Sequence, residues 1–257
     1  MAGFDRYSNV LRLFSADQSS LTVAQMAKAV RLPTSTVYRT VRELVASGFL
    51  ESAAGSYFRL GPTFIEYNRT INQTDPLILS GDEHLQQLAD VLPQPGATVL
   101  ARLYGNQVMC VADARSPSFR HDTSFQRGVP MPITRGATSR AILAQVRGKR
   151  LDRLLLSTEL ESGVSRQGFK QELKQIRRAR LSVTRNEVDQ GLVGYAVPVS
   201  NRSLGIEASL SCIFSDIDHS PDWATEIAEI LWSSAKRMED DMQHAFERIA
   251  GNSKPPS

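Results

Sequence analysis

The stretch Thr34-Ser35-Thr36-Val37-Tyr38-Arg39-Thr40-Val41-Arg42 combines short hydroxyl side chains with two guanidinium groups. Hydroxyls at the start of a helix can meet phosphate oxygens beside the unpaired backbone N–H groups of its first turn. A guanidinium further along can fork onto a guanine edge or a phosphate pair. Val37, Val41, Leu44 and Val45 follow the spacing of a core stripe, which leaves Ser35, Thr36, Arg39, Thr40 and Arg42 on the opposite face. This is chemistry for reading duplex DNA. The alternative is a solvated face in a small helical bundle, and the neighbouring elements decide between the two.

Those neighbours form a recognisable order. Residues 7–14 predict a first helix that buries Val10, Leu11, Leu13 and Phe14. Thr22 and Gln25 form a capping box that opens a second helix with Val23, Met26, Ala27 and Val30 inward. Pro33 breaks that helix in the turn Arg31-Leu32-Pro33, and Thr34 or Ser35 can cap the next one. Gly48 ends it, and residues 49–52 and 56–60 flank a turn at Gly55 as a β-hairpin. Helix, helix, short turn, helix and hairpin is the order of a winged helix-turn-helix, whose last helix enters a major groove. The DNA-binding set expected from it is Thr22, Thr34, Ser35, Thr36, Tyr38, Arg39 and Arg42, with Ser56, Tyr57 and Arg59 from the wing.

Composition is consistent with that placement. The 257 residues carry a net charge of +3. Residues 1–72 hold eight basic and five acidic side chains, while the remaining 185 hold 22 of each sign. All of the surplus lies where DNA would bind. A hydrophobic share of 41% excludes a disordered chain, and no apolar run suits a membrane. The first residues lack the basic and apolar pattern of a secretory signal. Cys110 and Cys212, far apart among apolar residues, read as reduced core thiols of a cytoplasmic protein.

Residues 62–71 predict a linker helix whose Phe64, Ile65, Tyr67 and Ile71 suit packing against a twin chain or against their own domain. From Leu77 helices and strands alternate. Helices are expected at 77–92, 137–146, 149–156, 167–179 and 223–249. Strands are expected at 98–104, 107–112, 181–184, 194–199 and 206–214, with a loop over 113–132. The class is α+β, with an antiparallel sheet backed by helices. The expected boundaries are 1–61 for the DNA-binding domain, 62–75 for the linker helix, 76–250 for the second domain and 251–257 for a disordered tail.

Catalysis finds no support. There is no nucleophile elbow, phosphate-cradling glycine loop or zinc-binding helix motif. His84, His121, His219 and His244 are scattered, and Cys110 alternates with apolar neighbours on a strand. No catalytic residue, metal or cofactor is expected.

Two ordered blocks resemble a known family. Val23-Ala24-Gln25-Met26-Ala27, Leu32-Pro33-Thr34-Ser35-Thr36-Val37-Tyr38-Arg39 and Gly48-Phe49-Leu50 resemble the DNA-binding module of IclR-type bacterial transcription regulators. Residues 128–132, 141–144, 187–191 and 196–199 resemble that family's effector domain. The resemblance implies a repressor or activator with an N-terminal winged helix-turn-helix and a C-terminal GAF/PAS-like ligand domain. It also implies a dimer or tetramer on a palindromic operator in double-stranded DNA. The effector it implies is a small carboxylate, aromatic acids included. Carried across position by position, the effector pocket comprises Arg120, Thr123, Met131, Ala137, Thr138, Ser139, Thr184, Leu192 and Gly194. In it the start of the helix at Ala137 and the Arg120 fork would hold the carboxylate, while Met131 and Leu192 supply apolar walls. One branch has an Asp and a Cys where Thr184 and Gly194 stand here, with Tyr195 adjacent, so that branch's ligand does not transfer. The rival reading is a ligand-independent DNA-binding protein whose second domain only oligomerises.

Overall fold

The computed structural model describes residues 3–158, 160, 163–217 and 223–252. They form two compact units that divide at Thr74/Asp75.

The first unit contains α1 (Gly3–Leu11), β1 (Leu21–Thr22), α2 (Val23–Val30), α3 (Thr34–Ala46), β2 (Leu50–Ser52), β3 (Tyr57–Leu60) and α4 (Thr63–Thr74). The capping box forms as expected: Gln25 N–H donates to Thr22 Oγ1 at 3.3 Å and Thr22 N–H to Gln25 Oε1 at 2.8 Å. α3 is different. Its N-cap is Pro33 with no side-chain cap, so Thr34 and Ser35 are its first two residues and not its cap. Val10, Leu21, Met26, Ala27, Val37, Val41, Leu44 and Leu50 form the core. The wing is a three-stranded antiparallel sheet in the order β1-β3-β2, because Leu21 and Thr22 pair with Phe58 and Tyr57. Two residues gave no strand signal in the sequence, since a pair that also caps a helix is too short for alternation to show. α1 begins at Gly3, four residues before the expected start.

Two glycines fix where the wing leaves α3. Gly48 adopts the left-handed φ of +71° just beyond the helix. Gly61 lies so close that a Cβ there would stand 2.1 Å from the Gly48 carbonyl oxygen.

The second unit places α5 (Pro76–Val91) before a six-stranded antiparallel sheet in the order β6-β5-β4-β9-β8-β7. The strands are β4 (Gly96–Tyr104), β5 (Gln107–Arg115), β6 (Pro130–Pro132), β7 (Ser182–Arg185), β8 (Leu192–Asn201) and β9 (Ile206–Ser215). Between β6 and β7 lie α6 (Gly136–Leu143), α7 (Gly148–Leu156) and α8 (Arg166–Ala179), and α9 (Ala224–Asn252) closes the chain. Both sheet faces are covered, so the strands are apolar on both sides. On β9, Ala208, Leu210, Cys212 and Phe214 join Leu85, Ile227 and Leu231 in the cluster under α5 and α9. Ile213 joins Ile142, Leu155, Phe169 and Leu173 in the opposite cluster. The period of two divides the core.

The stretch expected as a loop over 113–132 holds the end of β5 and all of β6, whose Met131 pairs with Val108. Its two prolines, Pro130 and Pro132, are tolerated because β6 is an edge strand. Gly251 and Asn252, expected in a disordered tail, complete α9, and 253–257 lie outside the described residues. No described helix is long and apolar enough to cross a membrane.

Gly61→Ala should cost about 1–3 kcal/mol, the range for overpacking, because the added methyl must displace backbone. Urea denaturation followed by far-ultraviolet circular dichroism checks it, with loss of structure in the first unit at lower urea as the expected result.

Candidate functional site

On α3, Val37, Thr40, Val41 and Leu44 are buried. Ser35, Tyr38, Arg39 and Arg42 form an exposed stripe at helical spacing. Thr34 is also exposed, and Thr36 is half-buried. Thr40, expected on the reading face, points inward and donates from Oγ1 to the Thr36 carbonyl at 3.1 Å. Arg39 and Arg42 make no hydrogen bond or ion pair with any described residue. The acid on α3, Glu43, accepts instead from the Tyr7 hydroxyl, to which Arg6 donates at 3.1 Å. That relay draws the carboxylate toward α1, and sequence spacing alone would have paired it with Arg39 at i,i+4.

Among the other expected contacts, Thr22 is half-buried and its hydroxyl is engaged by Gln25. Ser56 is exposed with a left-handed φ of 64°, and Tyr57 is exposed beside it. Arg59 pairs with Glu51 across the β2–β3 ladder at 2.5 Å. An exposed pair of this kind contributes about 0–1 kcal/mol, so it can yield to a phosphate.

The second site lies where α6 meets the sheet. Its floor is made of small side chains: Ala137, Ala141 and Ala196 pack together, and Gly194 lies opposite Ala137. Thr138 Oγ1 is 2.9 Å from Ser211 Oγ, and Ser209 donates to the Thr138 carbonyl at 3.1 Å. A short loop, residues 186–191, joins β7 to β8 and covers the start of the helix. Glu187 Oε1 accepts from Gly136 N–H at 3.0 Å and from Arg140 Nη2 at 2.8 Å. Thr184 Oγ1 accepts from Ala137 N–H at 3.0 Å. Asp189 holds the loop down by accepting from the amide of Ser124 at 3.0 Å and from its hydroxyl.

These groups enclose a cavity of about 30 Å³, lined by Phe125, Gly136, Ala137, Thr138, Thr184, Glu187, Val188, Asp189, Leu192, Gly194 and Ile213. Ala137, Thr138, Thr184, Leu192 and Gly194 of the expected set therefore meet. The other four do not line it. Arg120 is exposed in the loop after β5. Thr123 is buried, accepting from Arg115 at 3.2 Å. Met131 is held on β6, and Ser139 donates to the Pro132 carbonyl at 2.9 Å. Tyr195, adjacent to Gly194, points to the other face of the sheet and stacks edge-on with Phe214. It cannot alter the cavity. Sequence reasoning missed Glu187, Val188 and Asp189 as lining residues, although the run itself was noted. An acid between a strand and a glycine-ended turn gives no sign of which amide it will meet.

Both thiols are buried, and burial favours their protonated form. Burial, then the charge of Asp113, pushes Cys110 up to about 12. Burial alone raises Cys212. Among the described residues, no group of three or more His, Cys, Asp or Glu could hold a metal ion, and His219 lies outside them.

A helix-turn-helix joined to a separate unit with its own cavity defines a DNA-binding transcription regulator with a sensory half. Family models place it more narrowly. The IclR helix-turn-helix domain matches residues 4–54, and the C-terminal domain of bacterial transcriptional regulator IclR matches 72–239. The chain belongs to the IclR family, whose members are DNA-binding regulators and not enzymes. It is similar to the Pca regulon regulatory protein of Pseudomonas putida, 24% identical over 82% of this chain and 73% of the relative. Its fold matches an IclR transcriptional regulator from Alicyclobacillus acidocaldarius with a TM-score of 0.79, at 20% identity over 94% of this chain and 99% of that one. It also matches an IclR homologue from Microbacterium hydrocarbonoxydans complexed with 4-hydroxybenzoate, with a TM-score of 0.77, 21% identity and the same coverage.

Because both thiols keep their protons longer when folded, their contribution to stability is whole below the unfolded thiol value of about 8.5 and is lost as pH rises above it. Both should resist a thiol-specific reagent at pH 8 in the folded protein and react at once in denaturant. Rapid labelling without denaturant would contradict the burial.

Proposed function

We propose that the protein represses a catabolic operon and releases it when a small carboxylate, aromatic acids among the candidates, enters the α6 cavity. DNA reading falls to the exposed α3 stripe Ser35, Tyr38, Arg39 and Arg42, with Thr34 and Thr36 at the helix start and Ser56, Tyr57 and Arg59 on the wing. Two copies reading a palindrome need half-sites about 10 base pairs apart or a multiple of that. The exposed apolar side chains of α4, with Ile65 at 74%, suit the contact between the copies. No chemical step is assigned: the protein acts by binding, in the cytoplasm.

The observation that carries the effector reading is the carboxylate of Glu187 on the first amide of α6. The chain fills this position with the group a carboxylate ligand would bring, where the helix dipole favours negative charge. At about 30 Å³ the cavity is far below the roughly 150 Å³ that accommodates benzene. An aromatic acid must therefore displace the 186–191 loop, and in the proposed exchange its carboxylate takes the place of Glu187. That movement couples ligand to structure.

Arg39→Ala should weaken operator binding by about 1–3 kcal/mol if the guanidinium forks onto a guanine. Unchanged affinity in fluorescence anisotropy would reject that role. A panel of aromatic and aliphatic carboxylates, 4-hydroxybenzoate included, tests the effector reading by thermal shift. A ligand at a hundredfold excess over its Kd should stabilise by about 2.7 kcal/mol. Gly194→Val, which fills the cavity from a strand position, should abolish the shift and leave operator affinity intact. A panel with no hit, or a hit indifferent to that substitution, would remove the α6 cavity as the effector site.

A further inference from the structure

A wider cleft of about 630 Å³ opens elsewhere in the second unit and shares no lining residue with the α6 cavity. Guanidinium groups converge on it from three distant stretches. Arg147 and Arg150 come from the start of α7, Arg177 and Arg180 from the end of α8, and Arg202 from the turn between β8 and β9. Two carboxylates, Glu207 and Glu239, line the same space. The unit as a whole has equal numbers of acidic and basic residues, so this surplus of three positive charges is local.

Internal pairing does not remove it. Glu207 is taken by Arg150 at 2.7 Å, and Glu239 accepts the Ser200 amide at 2.9 Å. Arg177 donates from Nε and Nη2 to the carbonyls of Ala144 and Val146, at 2.5 and 3.1 Å. The guanidinium groups of Arg147, Arg180 and Arg202 have no hydrogen bond or ion pair among the described residues. Crowding shows in Arg177, which burial and then the charge of Arg147 make more acidic.

Arg180 adds an independent observation. It occupies the left-handed position after α8, with φ 52° and ψ 29°, where glycine is the residue without steric penalty. Its carbonyl accepts from Trp232 Nε1 at 2.8 Å, which fixes the backbone there. From that left-handed position Arg180 holds a long cation on the cleft.

We propose that this cleft binds a small molecule bearing a diphosphate group. The volume falls within the roughly 300–1,000 Å³ of small-molecule sites. Guanidinium forks match phosphate oxygens in pairs. A diphosphate ester carries about −3 at neutral pH, about one charge on its inner phosphoryl and up to two on its terminal one, and so balances the surplus that one carboxylate would leave standing. The proposal is independent of the effector reading of the α6 cavity.

Isothermal titration of the full chain with inorganic pyrophosphate, orthophosphate and citrate at about 0.15 M salt tests it, since bulk screening then suppresses diffuse attraction. Pyrophosphate should bind at least about tenfold tighter than either of the others, and Arg147→Ala or Arg202→Ala should each weaken it by about tenfold. Arg180→Gly should also lose affinity while its melting temperature holds or rises, because the left-handed strain is relieved. Citrate or orthophosphate binding as tightly as pyrophosphate would overturn the proposal. So would affinities indifferent to all three substitutions, or an Arg180→Gly protein that binds pyrophosphate normally. Displacement of pyrophosphate by unrelated duplex DNA would reassign the cleft to the DNA backbone and equally overturn it.

Discussion

The backbone N–H groups that open α6 must have acceptors, and the second unit is organised around supplying them. Gly136 and Ala137 lie in a buried layer where an unmet donor costs about 1–3 kcal/mol. The acceptors come from about fifty residues away, Glu187 for the first amide and Thr184 for the second. Bringing them there requires β7 at the sheet edge, a loop that folds back over the helix, and a floor of Ala196 and Gly194 low enough for α6 to approach. Arg140, one turn into the helix, balances Glu187 and also reaches Glu172 on α8 at 2.7 Å. One capping requirement thus ties together a strand, a loop and two helices, and it accounts for the small size of the cavity between them.

The first unit meets a different demand, since α3 must be anchored on one side and bare on the other. Its apolar stripe buries Val37, Val41 and Leu44 against α1 and α2. Thr40 completes that buried side by returning its hydroxyl to the helix backbone. With Glu43 drawn to Tyr7, the outer face presents cations and hydroxyls with no competing acid among its own contacts. Gly48 and Gly61 then turn the chain tightly enough for the wing to fold beside α3, with Phe49 edge-to-face against Phe64 of α4 at 5.5 Å. Apart from the Tyr7–Glu43 contact, which spans 36 residues, the apolar stripe of α3 and the Thr40 hydrogen bond are set within one or two turns of one helix.

That locality explains what could be read in advance. The capping box at Thr22, the stripe on α3 and the Gly105-Asn106 turn between β4 and β5 are signals written within a few residues. The sheet order is not, because the central pairing of β4 with β9 joins residues more than a hundred positions apart. The same distinction holds at the sites. The exposed α3 stripe follows from helical period alone, whereas Thr40 was misplaced because its period lies at the border of the two faces. Ala137, Thr138, Thr184, Leu192 and Gly194 came together through the family resemblance, and the loop acids that complete their cavity had no local signal. Arg120, placed by correspondence of position, lies exposed in the loop after β5 and outside that cavity.

The two units do separate work, and the proposed link between them begins with the exchange of one carboxylate for another at α6. A crystal structure of the protein with 4-hydroxybenzoate, or with whichever acid gives the largest thermal shift, tests that exchange most directly. The ligand carboxylate should lie within hydrogen-bond distance of the amides of Gly136 and Ala137, with Glu187 swung out and the 186–191 loop displaced. A bound acid elsewhere, with Glu187 still on Gly136, would contradict it.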